Sequence, residues 1–536
     1  MKINRFLPLI VPLAQLALLE AYFARPRWLY VALLATGLLY FFTIRQFILA
    51  SRRGTEFVDL EHGRHTIDNW VRSTCHVGMM PANGLQYVPP HPCQCYIEEK
   101  LNGFLALAAR READTFDWSA RPRLEKGPAY EATLHPPSFT PHPSDDWPAY
   151  RRDGLRTGAT KAQLPDELAP LWRVKIGARL TPPTAVGDSV FVASTEDHHV
   201  LCLDARRGAK RWEFAAGGRV DSPPTWHQGR LLFGCADGWV YCLNAGDGGL
   251  AWRFRGAPGE RLIGADGQLE SAWPVHGSVL VQNGVAYFTA GRSSHLDGGL
   301  GVYGVAAETG ELRCQTLFSG PKYTVENLQE NFLPPMGMLL DILMGDGERI
   351  YLRGTTLDND LKPASGKPQL QVKGGFLDDS YFKRTPWTFG AAQNYGRLIV
   401  HDDQRFYVVR MFDSLRGLDP TVFFTPGDKG YLLFANALDS RVSDWSYRVP
   451  VRVRAMLLAG DRLIAAGPPD MVDPQDPLGA FEGRKGGVLY VINAAGGQRL
   501  AEQSLPSPPV FNGAAAARGR LFLAAENGEL AGFGKQ

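Results

Sequence analysis

Cysteine is scarce and odd in number, seven in 536 residues. That excludes a disulfide scaffold and leaves at least one thiol without an internal partner. Net charge is nearly absent too, with 57 basic and 55 acidic residues. A nucleic-acid binder concentrates basic residues on one face, so no nucleic-acid partner is expected. The chain has no C-x-x-C-H haem site, no phosphate-cradling G-x-x-x-x-G-K loop and no G-x-S-x-G nucleophile elbow. Long apolar runs are confined to its first 44 residues.

Glycine (58) and proline (38) are abundant, together about 18% of the chain against a usual ~12%. With 45% hydrophobic residues there is ample material for a core. The combination fits many short strands joined by tight turns.

Residues 1–44 are a different material. The run 28–44 carries no charge and has aromatics at both ends. It sits at the ~17-residue lower limit for a membrane-spanning helix. The run 6–24 has the length of a span but is broken by Pro8, Pro12, Gln15 and Glu20. No small-residue cleavage site stands out, so the region reads as a membrane anchor of one or two helices. A hairpin through Arg25-Pro26-Arg27 would leave the large domain in the cytoplasm by the positive-inside rule, whereas a single span at 28–44 would put it outside. The charges leave the orientation open.

The rest of the chain repeats. Trp172, Trp212 and Trp252 recur forty residues apart, Asp204 aligns with Asn244 and Gly208 with Gly248. Each unit holds a turn, a short strand, a polar turn, a second strand and a D/N-x-x-x-G turn leading to tryptophan. A forty-residue period with about four strands per unit indicates a propeller blade. Weaker units continue at 282–314, 347–354, 396–437, 460–500 and 518–533. The last lacks its outer strand, and PLWRVKI at 170–176 has no blade of its own. Joining them closes a ring and removes an exposed sheet edge. The fold class expected is all-β, a propeller of seven blades over 165–536, with eight as the alternative. The recurring tryptophans are expected to pack between blades.

In front lies an incomplete array at 45–110, with the same turn at Asp59 and Gly63. A Pro-rich stretch at 111–164 then reads as linker and lead-in. Cys75, His76, Cys93 and Cys95 fall in the incomplete array and could supply three thiolates and an imidazole to a soft metal. A disulfide or simply buried thiols stand ahead of that reading. Cys202, Cys235 and Cys242 lie in strand-rich segments and read as core. His198-His199 reads as a surface turn, and the Asp378-Asp379 and Asp402-Asp403 pairs as turn residues.

The unit Leu203-Asp204…Gly208…Trp212 resembles the tryptophan-docking repeat of PQQ-binding-like β-propellers. That superfamily includes quinoprotein alcohol dehydrogenases and the BamB-type scaffold of outer-membrane assembly. DWPAYRRDGLRTGAT at 146–160 resembles the lead-in of large bacterial members. Residues 70–108 resemble a segment of two-propeller members, which implies a chain shortened at its N-terminal side. By that resemblance an enzyme would need an axial cavity, PQQ, Ca²⁺ held by oxygen ligands, an aspartate base and adjacent cysteines, and the chain has no Cys-Cys pair. The expectation is therefore a membrane-anchored binding or scaffold module without catalytic residues or cofactor. It would engage a protein or small molecule through loops or a central funnel, on the extracytoplasmic side of a bacterial membrane. The alternative is a PQQ-dependent dehydrogenase feeding electrons to the membrane.

Overall fold

The computed structural model describes parts of residues 42–134, then 145–320 except 266, 342–372, 387–410 except 391–393, and 431–535 except 441. The chain divides into two compact units, Met1–Asp114 and Thr115–Gln536.

In the first unit, Phe42–Ile44, Phe47–Ala50, Thr55–Asp59 and His65–Asp68 form a four-stranded antiparallel sheet. Met80–Ala82, Leu85–Val88 and Leu105–Ala108 form a three-stranded one. The Asp59 turn closes as the sequence pattern suggests. Asp59 Oδ1 accepts the Glu61 and His62 amides at 2.9 and 3.2 Å, and the Gly63 amide donates to the Asp59 carbonyl at 2.9 Å. One expectation needs correction. The run 28–44 does not end as a helix, because Phe42–Ile44 pairs antiparallel with the next strand, Phe42 opposite Leu49. Phe, Thr and Ile all favour strand, and a ladder partner lies three residues on. The rest of 1–44 lies outside the described residues, as do Cys75, His76, Cys93 and Cys95. Among the described residues no helix is long and apolar enough to cross a membrane.

The second unit is all-β apart from one short helix, Tyr130–Leu134, among the described residues. Its first complete sheet runs Thr184–Val186, Ser189–Ser194, His199–Asp204, Lys210–Ala215 in spatial order. The middle strands are buried almost throughout, because apolar residues on both faces pack against neighbouring sheets. The outer strand alternates between buried and exposed, as one-sided packing requires. The pattern recurs at 225–255, 280–318, 398–449 and 455–505, with shorter three-stranded sheets at 344–358 and 370–396. The sheet at 370–396 corresponds to none of the repeat units read from the sequence.

Closure is by exchange between the ends of the ring. Ala169–Lys175 pairs antiparallel with Glu529–Gly534, in one sheet with Arg520–Ala525 and Pro509–Ala517. The inner strand Pro509–Ala517 lies against both Ala455–Ala459 and Thr184–Val186. A core cluster accordingly mixes the first and last sheets, with Val190 and Val192 beside Leu521 and Leu523.

The tryptophans lock each sheet to the next. Trp172 Nε1 donates to the Ala205 carbonyl at 3.1 Å, and Trp212 Nε1 to Ala245 at 3.0 Å. Their rings lie on Gly208 and Gly248, both at positive φ (69° and 78°). A Cβ at either position would stand 2.5–2.6 Å from the indole Cε3. Asp204 and Asn244 hold these turns by accepting amides two residues on, at 2.9 Å each. Trp252 lies on Gly310 in the same way. Trp445 repeats the full device against Gly497 and the Ala494 carbonyl (3.0 Å).

The stretch expected to be linker is partly built into the ring. Leu124–Lys126 adds a fifth strand outside Leu250–Arg255. Arg123 Nη1 donates to Tyr303 Oη at 2.7 Å.

Candidate functional site at the ring axis

Residues 146–160 run through the middle of the ring. Trp147 and Ala185 exchange two backbone hydrogen bonds (2.7 and 2.8 Å). The Trp226 amide donates to Pro148 O (2.7 Å), Gly345 to Gly154 O (2.9 Å), His401 to Thr157 O (3.0 Å) and Leu458 to Gly158 O (2.9 Å). Ala159–Thr160 pairs parallel with Leu458 and Ala459. Asn512 on Pro509–Ala517 bonds Tyr150 and Arg151, at 2.9 Å each. One segment thus reaches inner strands of six sheets.

Two arginines of this segment are buried without a carboxylate in hydrogen-bond contact. Arg156 has no exposed surface, and its guanidinium donates to the carbonyls of Leu343 (2.9 and 3.1 Å), Tyr150 (3.1 Å) and Asp153 (3.2 Å). Arg151 donates to Arg156 O (2.9 Å), Ile399 O and Asn512 Oδ1 (2.9 Å), and stacks on Trp387 at 4.3 Å. Burial pulls both arginines down to about 10, so they stay charged at neutral pH. A buried charge is tolerated only when dipoles replace its water, and main-chain carbonyls do that here.

A second polar cluster gathers residues from the segments joining the first, second and third complete sheets, with Arg292 from within the third. Arg219 Nε donates to Asp221 (2.6 Å), and His276 Nδ1 lies 2.6 Å from the other Asp221 oxygen. Glu270 lies between Arg219 (2.9 Å) and Arg292. Burial alone would raise the Asp221 carboxyl, but the His276 hydrogen bond and the charges of His276 and Arg219 outweigh it and hold the group well below its usual range. An ionised carboxylate only accepts, so His276 carries its proton on Nδ1. All five side chains are at least nine-tenths buried. Nearby sheets repeat the theme, with Arg452 on Asp470 (2.9 Å) and Arg454 on Glu526.

These groups bear on whether the ring suits PQQ and Ca²⁺. The carboxylates Asp221, Glu270, Asp470 and Glu526 each face an arginine of the same chain. Among the described residues no three His, Cys, Asp or Glu side chains gather as a metal site. Asp402 takes up the Gln404 and Arg405 amides (2.8 and 2.7 Å) as a turn, while Asp378-Asp379 lies outside the described residues.

Cys202, Cys235 and Cys242 are free and buried. Burial pushes the Cys202 thiol up to about 11 and raises the Cys235 and Cys242 thiols well above their usual range, which keeps all three protonated at neutral pH. His198 turns at φ 61° and bonds Gln268 (2.7 Å), and His199 lies 3.6 Å from Glu213. The role of 146–160 is not visible in any repeat of the sequence. Gly154 and Gly158 were its signal: a Cβ at 154 would stand 2.7 Å from Gly345 O, and one at 158 would stand 2.7 Å from Val400.

Residues 166–338 match the family model described as outer membrane protein assembly factor BamB. Among solved structures, BamB from Moraxella catarrhalis is 12% identical, with a TM-score of 0.41 over 69% of this chain and 98% of its own. A quinohemoprotein alcohol dehydrogenase from Comamonas testosteroni is 14% identical, at 0.48 over 76% and 84%. The alcohol dehydrogenase ADHIIG from Pseudomonas putida HK5 is 12% identical, at 0.45 over 76% and 82%. No curated protein matches the chain. Likeness this distant favours neither the scaffold nor the dehydrogenase. The docking repeat and the match over 166–338 make that part of the all-β chain similar to the family described as outer membrane protein assembly factor BamB.

Proposed function

We propose that the chain is a binding and scaffold module, held at a bacterial membrane by its N-terminal region, that presents ring loops to a partner protein outside the cytoplasm. The observation that carries this reading is the filled axis. Residues 146–160 lie against the inner strands of six sheets, room that an axial cofactor cavity would need, and this supports the reading. The ion pairing of Asp221, Glu270, Asp470 and Glu526 with arginines points the same way, since a Ca²⁺ ligand set needs carboxylates free for the metal. The ring is read as eight blades, the separate sheet at 370–396 supporting the eighth. Cys75, Cys93 and Cys95 are read as buried thiols or a disulfide, and none of them nor His76 as a metal ligand; metal analysis of the purified protein that finds stoichiometric zinc would reverse this.

The test is titration of the purified full chain with PQQ and Ca²⁺, followed by a dye-reduction assay with alcohols and sugars. The expected result is no saturable change in quinone absorbance and no turnover. Saturable binding with turnover would replace the scaffold reading by a quinoprotein dehydrogenase.

A further inference from the structure

The segment 146–160 behaves toward the ring as a ligand does toward a site. Arg151, Arg152 and Arg156 sit at positive φ (53°, 79° and 59°), each costing about 1 kcal/mol for a side-chain-bearing residue. Local turn bonds (Arg152 N to Ala149 O at 2.9 Å, Arg156 N to Asp153 O at 3.1 Å and Gly158 N to Arg151 O at 3.0 Å) shape the path, and contacts with the ring hold it in place. The ring's share of those contacts is acceptors for cations: the carbonyls of Leu343 and Ile399 and the amide oxygen of Asn512. The carboxylate nearest in sequence, Asp153, belongs to the segment itself and is engaged by Thr157 (3.0 Å to its amide).

We propose that the centre of the ring is a peptide-binding site, specific for a turned segment carrying two arginines five residues apart, and that the chain fills it in cis with residues 146–160. Main-chain carbonyls from separate sheets select guanidinium over ammonium. Arg156 bonds one carbonyl through two nitrogens, a geometry that lysine cannot reproduce. Because the partners lie on different sheets, the segment binds or leaves as a whole. The proposal holds whether or not the ring is a scaffold.

Native-state hydrogen exchange on the full chain tests it. The amides of Trp226, Gly345, His401 and Leu458 lie on four sheets and donate to four residues of the segment. In the wild type they should exchange at one common rate. Gly158→Val places a branched side chain at φ 69° against Val400 and should speed all four together at least tenfold, while the ladder amide of Val192 is unchanged. A synthetic peptide of residues 145–161 added in trans should slow them again in the variant and do nothing to the wild type. Arg156→Leu serves as the second variant should Gly158→Val not fold. Four unrelated rates, acceleration at His401 and Leu458 alone, or no rescue by the peptide would overturn the proposal. None of these outcomes depends on PQQ binding.

Discussion

Replacing Gly248 by alanine tests the tryptophan lock with its magnitude fixed in advance. Two costs add. An alanine at φ 78° pays about 1 kcal/mol for the left-handed backbone. Its Cβ would also sit 2.6 Å from Trp212 Cε3 and 2.8 Å from Cδ2, so the indole must move. Moving it breaks the 3.0 Å hydrogen bond to Ala245 O, and leaving that buried carbonyl unpaired costs about 1–3 kcal/mol. The displaced ring disturbs its packing with Phe191, about 1–2 kcal/mol more by analogy with overpacked cores. The total is about 3–6 kcal/mol. Gly284→Ala is the control. It has nearly the same φ, 73°, with nothing within 4 Å of the added Cβ, so only the backbone cost of about 1 kcal/mol applies. Urea midpoints by tryptophan fluorescence compare the two. Adding Trp212→Leu to Gly248→Ala should recover more than about 1 kcal/mol of the loss, as coupling between touching groups predicts. Equal midpoints for the two glycine variants would refute the reasoning.

Further predictions concern closure, thiols and pH. Val174→Pro removes a ladder donor opposite Leu530 and should cost about 3 kcal/mol, with proteases then cutting near both 170 and 530. Cys202, Cys235 and Cys242 should resist iodoacetamide at pH 8 until denaturant is added, read by peptide mass spectrometry; labelling in the native state would contradict their raised thiols. Burial lowers His295 to about 4, so the unfolded chain binds its proton first, and stability should fall as pH drops from 6.5 towards 4. His295→Gln should flatten that slope. Asp221 is depressed, so its contribution should persist above pH 4 and be lost only below it; an Asp221→Asn variant with unchanged acid sensitivity would count against the His276 pairing.

What the sequence made legible was whatever recurs at a fixed interval. Trp172 and Trp212 each precede their docking glycine, Gly208 and Gly248, by the same 36 residues, so the repeat shows; Trp252 and Gly310, with the 262–271 hairpin between them, are 58 apart. Trp445 and Gly497 form the same lock, but the loop at 470–485 stretches their interval and hides it. The sheet at 370–396 escaped notice because its strands are two or three residues long, too short to show alternation. The axial segment has no period at all. Its residues answer to carbonyls from distant strands, and no local pattern encodes a partner some 190 or 250 positions away, as Leu343 and Ile399 are. The end of the 28–44 run, Phe42–Ile44, shows the opposite failure: apolarity alone does not separate a helix from a strand with a partner close by.

The exchange of strands at the seam also sets a clock on biosynthesis. Ala169–Lys175 leaves the ribosome first, and its partner Glu529–Gly534 follows 360 residues later, from 169 to 529. At about 5–20 residues per second that is a wait of about 20–70 s. For that time the nascent domain is an open arc with an unsatisfied edge at each end, the kind of surface that chains use to pair with one another. Expression yield should therefore respond to translation rate and holdase supply more than to the stability of the finished ring.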